Sequence, residues 1–102
     1  MLEKHIQKQI LDYLSYRPGK YWRQNTGAMV AEYKGRKRFM KFGIAGGADI
    51  TGVKEGRRVE IEVKQPKGKQ SESQKEFQSM IESQGGLYVL ARSLEDVQRA
   101  GL

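Results

Sequence analysis

The stretch that decides the fold is residues 59–64, Val-Glu-Ile-Glu-Val-Lys, in which β-branched and charged side chains alternate strictly. Side chains along a β-strand point alternately to its two faces. The three β-branched residues therefore share one face, and Glu60, Glu62 and Lys64 share the other. Such a charged face is either solvated or part of a site for a metal ion and a water molecule.

The patterns on either side of this strand predict a single α/β domain over residues 1–102. Helical spacing of apolar residues predicts a first helix over 2–15. A second helix is expected from Ser71, with Gln74 completing a capping-box pattern, and a third after Ser93. Strands are predicted over 21–25, 29–33, 36–42, 48–53, 57–64 and 87–91. This order predicts a mixed β-sheet flanked by helices.

The composition excludes several classes of site. The chain has 102 residues, no cysteine and one histidine, so disulfides, thiolate metal sites and a multi-histidine zinc site are excluded. No apolar run approaches the roughly 20 residues of a membrane span, and we expect no membrane partner. The first residues also lack the apolar stretch of a signal peptide. We therefore expect a soluble protein of a reducing, cytoplasmic interior.

The charge distribution favours nucleic acid as the partner. The net charge is +7, from 19 basic and 12 acidic residues. Clustered cations on a small basic domain are typical of proteins that bind a polyanion through its phosphates. The residues expected to contact phosphate are Lys34, Arg36, Lys37, Arg38 and Lys41 in the first cluster and Lys67 and Lys69 in the second.

A second acidic residue completes a candidate site for phosphodiester hydrolysis. Asp49 lies on the strand predicted over 48–53, which pairs with the strand of Glu62, and adjacent antiparallel strands lie about 4.8 Å apart. Two carboxylates and the Val63 carbonyl would suit Mg²⁺, which takes oxygen ligands and keeps several waters. Lys64 would position or deprotonate the attacking water. An alternative register makes Glu60 the ligand, but leaves Lys64 four residues away.

At this point the chain resembles a known family. Its segments 47–50 (Gly-Ala-Asp-Ile) and 62–64 (Glu-Val-Lys) resemble the signature of the PD-(D/E)xK restriction-endonuclease-like superfamily, with Ala48 in place of the proline. From Glu3 to about Ala91 it is similar to VRR-NUC, the virus-type replication-repair nuclease family. The match includes residues 22–27 (Trp-Arg-Gln-Asn-Thr-Gly) before the basic hairpin.

The resemblance implies a restriction-endonuclease-like fold and a DNA endonuclease that uses Mg²⁺ or Mn²⁺. It further implies branched, flapped or four-way DNA as substrate, a role in replication, repair or recombination, and a homodimer. The cell would be bacterial or phage-infected. A non-catalytic basic module that binds DNA or RNA is the alternative, and an enzyme that cuts RNA is a third hypothesis.

Two further residues enter the predicted site through the resemblance. Glu3 falls on the buried side of the first helix, where the family has a glutamate near the metal, contacting it directly or through water. Its alternative role is that of an acid favoured by the helix dipole. Gln74 is predicted to lie near the water or phosphate, or else only to cap its helix. Trp22 and Tyr33 are expected in the core, as strand aromatics usually are, and the alternative is that they stack on bases.

Overall fold

The computed structural model describes residues 2–24, 27–42 and 44–102; between 27 and 42 it describes side chains only for residues 34–36. The helices are α1 (Glu3–Leu14), α2 (Glu72–Ser83) and α3 (Leu94–Arg99). The strands are β1 (Lys20–Arg23), β2 (Gly27–Tyr33), β3 (Arg36–Phe42), β4 (Ile50–Lys54), β5 (Arg57–Val63) and β6 (Leu87–Ala91). None of the described helices is long and apolar enough to cross a membrane.

Four of the strands form one mixed sheet in the order β1-β4-β5-β6. β4 pairs antiparallel with both β1 and β5, whereas β5 pairs parallel with β6. Parallel neighbours require a crossover connection, and α2 supplies it between β5 and β6. The predicted α/β class, with a mixed sheet flanked by helices, is confirmed.

The two predicted hairpins form, and each closes through a two-residue turn. β2 and β3 make a separate two-stranded sheet around Lys34 and Gly35, whose φ angles are 51° and 74°. Glu55 and Gly56 close β4 and β5 with φ angles of 53° and 77°. Positive φ at both central residues is the pattern of a type I′ turn, whose twist matches that of paired strands.

The apolar face of β5 forms the main core. Val59 and Ile61 pack there with Ile6 and Ile10 of α1 and Val97 of α3, and all five side chains are buried. Burying an aliphatic side chain of this kind contributes about 1.5–3 kcal/mol to the free energy of folding. The helical spacing of α1 therefore docks it on the face that the strand alternation predicts to be apolar.

The charged face of β5 is covered as well, by α2. Phe77 and Ile81 of this helix form a second buried cluster that includes Tyr88 of β6. Glu60 and Glu62 are consequently only 1% and 4% exposed. The alternating strand is therefore buried on both faces, and its two carboxylates need partners within the protein.

One strand near the site begins at a different residue from the one predicted, and one helix lacks its predicted cap. β4 begins at Ile50 rather than at residue 48, so Asp49 lies just before the strand. The backbone N–H of Gln24 donates to the Asp49 carbonyl at 2.8 Å and extends the ladder beyond the end of β1. At Ser71 the predicted capping box is confirmed, whereas Ser93 precedes α3 without a side-chain cap hydrogen bond.

Candidate active site

The sheet register brings the two predicted carboxylates together. Ile50 pairs with Ile61, so the next positions along the two strands, Asp49 and Glu62, lie opposite each other. Asp49 Oδ2 accepts a hydrogen bond from the backbone N–H of Val63 at 2.8 Å. Residues opposite each other in an antiparallel pair point to the same face. Both carboxylates therefore project from the side of the sheet on which α2 lies.

Burial and charge together make Glu62 difficult to ionise. Burial is the largest cause that raises the pKa of Glu62 to about 8, followed by the charge of Asp49 and a hydrogen bond with it. The Glu3 carboxylate raises this pKa further, and the Lys64 ammonium opposes the shift. Two adjacent carboxylates of this kind share a proton or neutralise their charge on a cation.

One oxygen of the pair receives no hydrogen bond from a donor group among the described residues. Glu62 Oε2 is buried and accepts no hydrogen bond there. The other oxygen, Oε1, accepts from Gln74 Nε2 at 3.2 Å. A buried carboxylate oxygen without a donor is costly unless a proton or cation satisfies it. The site is therefore suited to a positively charged occupant.

Gln74 caps its helix as predicted and also reaches the acid pair. Its side-chain Oε1 accepts a hydrogen bond from the backbone N–H of Ser71 at 2.9 Å. The backbone N–H of Gln74 donates in return to Ser71 Oγ at 3.2 Å. Its Nε2 simultaneously contacts Glu62. The capping box therefore fixes the side chain that hydrogen-bonds to the acid pair.

A glycine sets how closely α2 approaches the acid pair. A Cβ atom on Gly46 would lie 2.1 Å from the Ser73 carbonyl oxygen and 2.7 Å from the Gln74 backbone nitrogen. The φ angle of Gly46 is 76°, which also favours glycine. The glycine-rich loop before Asp49 thus packs directly on the first turn of α2.

Glu3 and Lys64 lie at the margin of the acid pair. Both side chains are half-buried, and the charge of each acts on the pKa of Glu62. Glu3 is in the first turn of α1, so it also has the favourable helix-dipole position that the sequence allows. The structure therefore brings Asp49, Glu62 and Gln74 into one hydrogen-bonded region, and the charges of Glu3 and Lys64 act on Glu62.

The donor set fits a small, hard divalent cation. In the parts of the chain that the structure describes, no group of three or more His, Cys, Asp or Glu side chains forms a metal site. Mg²⁺ requires fewer than three such side chains, because one or two carboxylates together with water molecules usually bind it. Asp49 and the unsatisfied Glu62 Oε2 supply carboxylate oxygens. The Val63 carbonyl points to the same side of β5 as its N–H, which reaches Asp49.

Glu60 has a different set of partners from Glu62. Its Oε1 accepts from Thr51 Oγ1 at 2.7 Å and from Arg58 Nε at 2.6 Å. These two bonds neutralise and satisfy the buried carboxylate within the sheet. The alternative register, with Glu60 as the metal ligand, would have to break this network.

The described cations of the two basic clusters are exposed. They are Lys34 and Arg36 beside the first hairpin turn and Lys67 and Lys69 after β5. Arg92 Nη2 donates to the Gly68 carbonyl at 3.0 Å and anchors the loop between Lys67 and Lys69. Lys37, Arg38 and Lys41, which are also predicted to contact phosphate, lie outside the described side chains.

Two aromatic residues near the site differ from what the sequence predicts. The prediction that Trp22 is a core residue is wrong, since 47% of it is exposed on β1; Tyr33 lies outside the described side chains. Tyr88 is close enough for Glu62 and Asp49 to raise its pKa, which reaches about 12 chiefly through burial. Its hydroxyl accepts from Gln70 at 3.3 Å. No motif marks this tyrosine in the sequence.

Comparison with models of known protein families gives no match for this chain, and comparison with curated proteins gives none either. The resemblance to VRR-NUC nucleases therefore stays a prediction. It rests on the quoted motifs alone.

Proposed function

We propose that the chain is a metal-dependent endonuclease that hydrolyses phosphodiester bonds in DNA, in the manner of the PD-(D/E)xK nucleases it resembles. The observation that carries the proposal is the pairing of Asp49 with the buried Glu62, whose Oε2 is unsatisfied among the described residues. A protein gains nothing in stability from two uncompensated carboxylates in one place. Such a pair is typical of sites that bind a cation or that accept and donate a proton.

The residues that would hold the cation are Asp49, Glu62 and the carbonyl of Val63, with Glu3 assisting directly or through water. A bound Mg²⁺ or Mn²⁺ would supply charge neutralisation on the phosphate and lower the pKa of a coordinated water. Asp49 is held for this role by the Val63 N–H, and Glu62 by Gln74. These two hydrogen bonds orient the carboxylates before any ligand binds.

The remaining residues would bind and orient the reacting groups. Lys64 shares the face of Glu62 and would hold the attacking water or offset charge on the phosphate. The water oxygen bonds to phosphorus as the bond to the 3′-oxygen breaks, and the departing oxygen takes up a proton. The products carry a 5′-phosphate and a 3′-hydroxyl. Exposed Lys67 and Lys69 would contact the backbone phosphates beside the site.

A cleavage assay with a panel of labelled substrates tests the proposal. Single-stranded, blunt duplex, flapped and four-way DNA would each be incubated with the protein in Mg²⁺, in Mn²⁺ and in excess EDTA. We expect cleavage that requires metal, leaves 5′-phosphate ends and favours a branched substrate. An RNA strand of the same sequence tests the RNA hypothesis. Binding without cleavage of any substrate would contradict the proposal and favour the non-catalytic module.

Cation binding has its own readout that does not depend on activity. Mn²⁺ should raise the thermal midpoint of the wild-type protein at pH 8, because a ligand that binds only the folded state stabilises it. The Glu62→Gln variant should lose this increase. Glu82→Gln, which changes an exposed carboxylate on α2, should keep it. An equal increase in all three proteins would mean that the cation binds elsewhere.

The proposed homodimer follows from the substrate rather than from a described contact. The described part of one chain offers one acid pair, and a four-way junction has two symmetric strands to cut. A two-fold dimer would present two such sites in the matching symmetry. Sedimentation of the pure protein tests this, and a monomer at assay concentrations would contradict it.

A further inference from the structure

Trp22 lies on the same face of the sheet as the acid pair and next to it. On β1 it pairs with Thr51 of β4, which lies two residues after Asp49. Trp22 and Asp49 are therefore diagonal neighbours on one face, and such neighbours are about 7–8 Å apart. A base next to the phosphate that the acid pair is proposed to cleave could therefore contact the indole.

The indole is exposed although it belongs to a strand. Trp22 is 47% exposed, and Val53 on the neighbouring strand is 44% exposed on the same face. The buried cluster under α2 involves β6 and the approach to β4, not β1. β1 is also at one end of the strand order in its sheet. Trp22 and Val53 thus form a small apolar platform beside the acid pair.

Cations border this platform. Lys20, on the same face of β1, pairs with Val53, and Val53 pairs in turn with Arg58 on β5. The Lys20 side chain is exposed, and the Arg58 side chain is 56% exposed even though its Nε binds Glu60. An aromatic ring among cations is the usual surface for a nucleotide, whose base stacks while its phosphate meets the charges.

We propose that Trp22 is a stacking platform for an unpaired base next to the phosphate that the acid pair cleaves. This inference rests on the proposed nuclease function and narrows its substrate class. Bases within a duplex are already stacked on both sides and do not offer a face to the ring. The substrate therefore contains a single-stranded segment or an unpaired nucleotide beside the scissile bond, as a flap or the branch of a junction provides.

The intrinsic fluorescence of the protein reports on this contact directly. Trp22 is the one tryptophan of the chain, so the emission comes from a single known position. Titration with a short oligothymidylate in excess EDTA avoids cleavage, and stacking of thymine should quench the emission. A blunt duplex of equal length should bind with little quenching. Binding of each probe is followed independently by anisotropy of a label on the DNA.

Variants separate stacking from charge. Trp22→Ala should weaken binding of oligothymidylate roughly 5- to 160-fold, which corresponds to the loss of one stacked base. Trp22→Phe keeps an aromatic face and should restore most of the affinity. Tyr16→Ala is the matched control, because Tyr16 is 90% exposed at the end of α1, which packs on the opposite face. It should bind like the wild type.

Three results would overturn the inference: bound oligothymidylate that leaves the emission unchanged, equal quenching by the blunt duplex, or wild-type affinity in Trp22→Ala. A change of emission on dilution without DNA would also overturn it, since a second copy of the chain would then cover the ring. The outcome is distinguishable from failure of the nuclease proposal. Quenching with no cleavage in the presence of metal would support stacking while contradicting the nuclease.

Discussion

The carboxylate of Asp49 accepts a hydrogen bond from the backbone N–H of Val63 at 2.8 Å, and so joins the segment before β4 to the strand that carries Glu62. This bond occupies one oxygen of Asp49 and turns the carboxylate towards its neighbour. Burial of Glu62 and the charge of Asp49 beside it then raise the pKa of Glu62. The acid pair and the contacts that hold it therefore control both the stability of the protein and its proposed chemistry.

The stability of the metal-free protein should fall as the pH rises towards 8. Glu62 has its pKa raised from the ordinary 4.5 to about 8, so the folded state binds this proton more tightly than the unfolded chain. The resulting stabilisation is fully present below the pKa that Glu62 has in the unfolded chain. It is lost as the pH rises through the pKa that Glu62 has in the folded protein. Urea unfolding in EDTA at several pH values measures this decline.

The Glu62→Gln variant is the control for that decline. Glutamine keeps an oxygen for Gln74 and gains N–H groups that can donate to Asp49, without a charge to bury. Relative to the variant, the wild type should lose on the order of 2–4 kcal/mol of unfolding free energy between acidic pH and pH 8. Parallel pH profiles for the two proteins would show that Glu62 does not titrate in this range.

Gly46→Ala should destabilise the protein more than Gly56→Ala does. The two glycines have nearly the same φ, 76° and 77°, so both variants carry the conformational cost of about 1–2 kcal/mol. Only at Gly46 does the added Cβ meet the start of α2; at Gly56 nothing lies within 4 Å. Overpacking there should cost roughly another 1–3 kcal/mol, measured by denaturant unfolding. Equal losses of unfolding free energy in the two variants would mean that the loop around Gly46 moves to accommodate the added Cβ at no cost.

Gln74→Glu should keep its helix but lose function. Glutamate is a good capping-box residue and can still accept from the Ser71 N–H. It cannot donate to Glu62 Oε1 as the Gln74 amide does, and it adds a third charge to the site. We expect near wild-type helicity by circular dichroism with cleavage reduced at least tenfold.

Ser71→Ala makes the opposite change, so it separates the two roles of Gln74. It removes the side chain that accepts from the Gln74 N–H and should cost about 1 kcal/mol of stability. Cleavage at a temperature where the variant is folded should remain close to that of the wild type. Unimpaired cleavage by Gln74→Glu would instead assign Gln74 to capping alone.

The sequence was sufficient for the features that depend on local pattern. Strand alternation, turn chemistry at Lys34-Gly35 and Glu55-Gly56, and the capping box at Ser71 each act within a few residues. They led to the α/β class and to the pairing of Asp49 with Glu62. That pairing follows because a tight hairpin fixes the register of its two strands.

The features that depend on distant parts of the chain were not predictable. Trp22 was expected in the core, but the order of strands puts β1 at one end of the sheet and leaves the ring exposed. The burial of Glu60 arises because α2 returns across the charged face of β5. The contact of Gly46 with Ser73 likewise joins residues far apart in sequence. No local pattern encodes such approaches.

The central claim is that Asp49, Glu62 and Lys64 form a nuclease site, and the most direct test is cleavage by Lys64→Ala. Lys67→Ala serves as the matched control, because it removes an exposed lysine three residues away. Both variants would be compared with the wild type in Mn²⁺ on flapped DNA at saturating protein. The account predicts that Lys64→Ala still binds the DNA but does not cut it, whereas Lys67→Ala cuts it. Undiminished cleavage by Lys64→Ala would contradict the account.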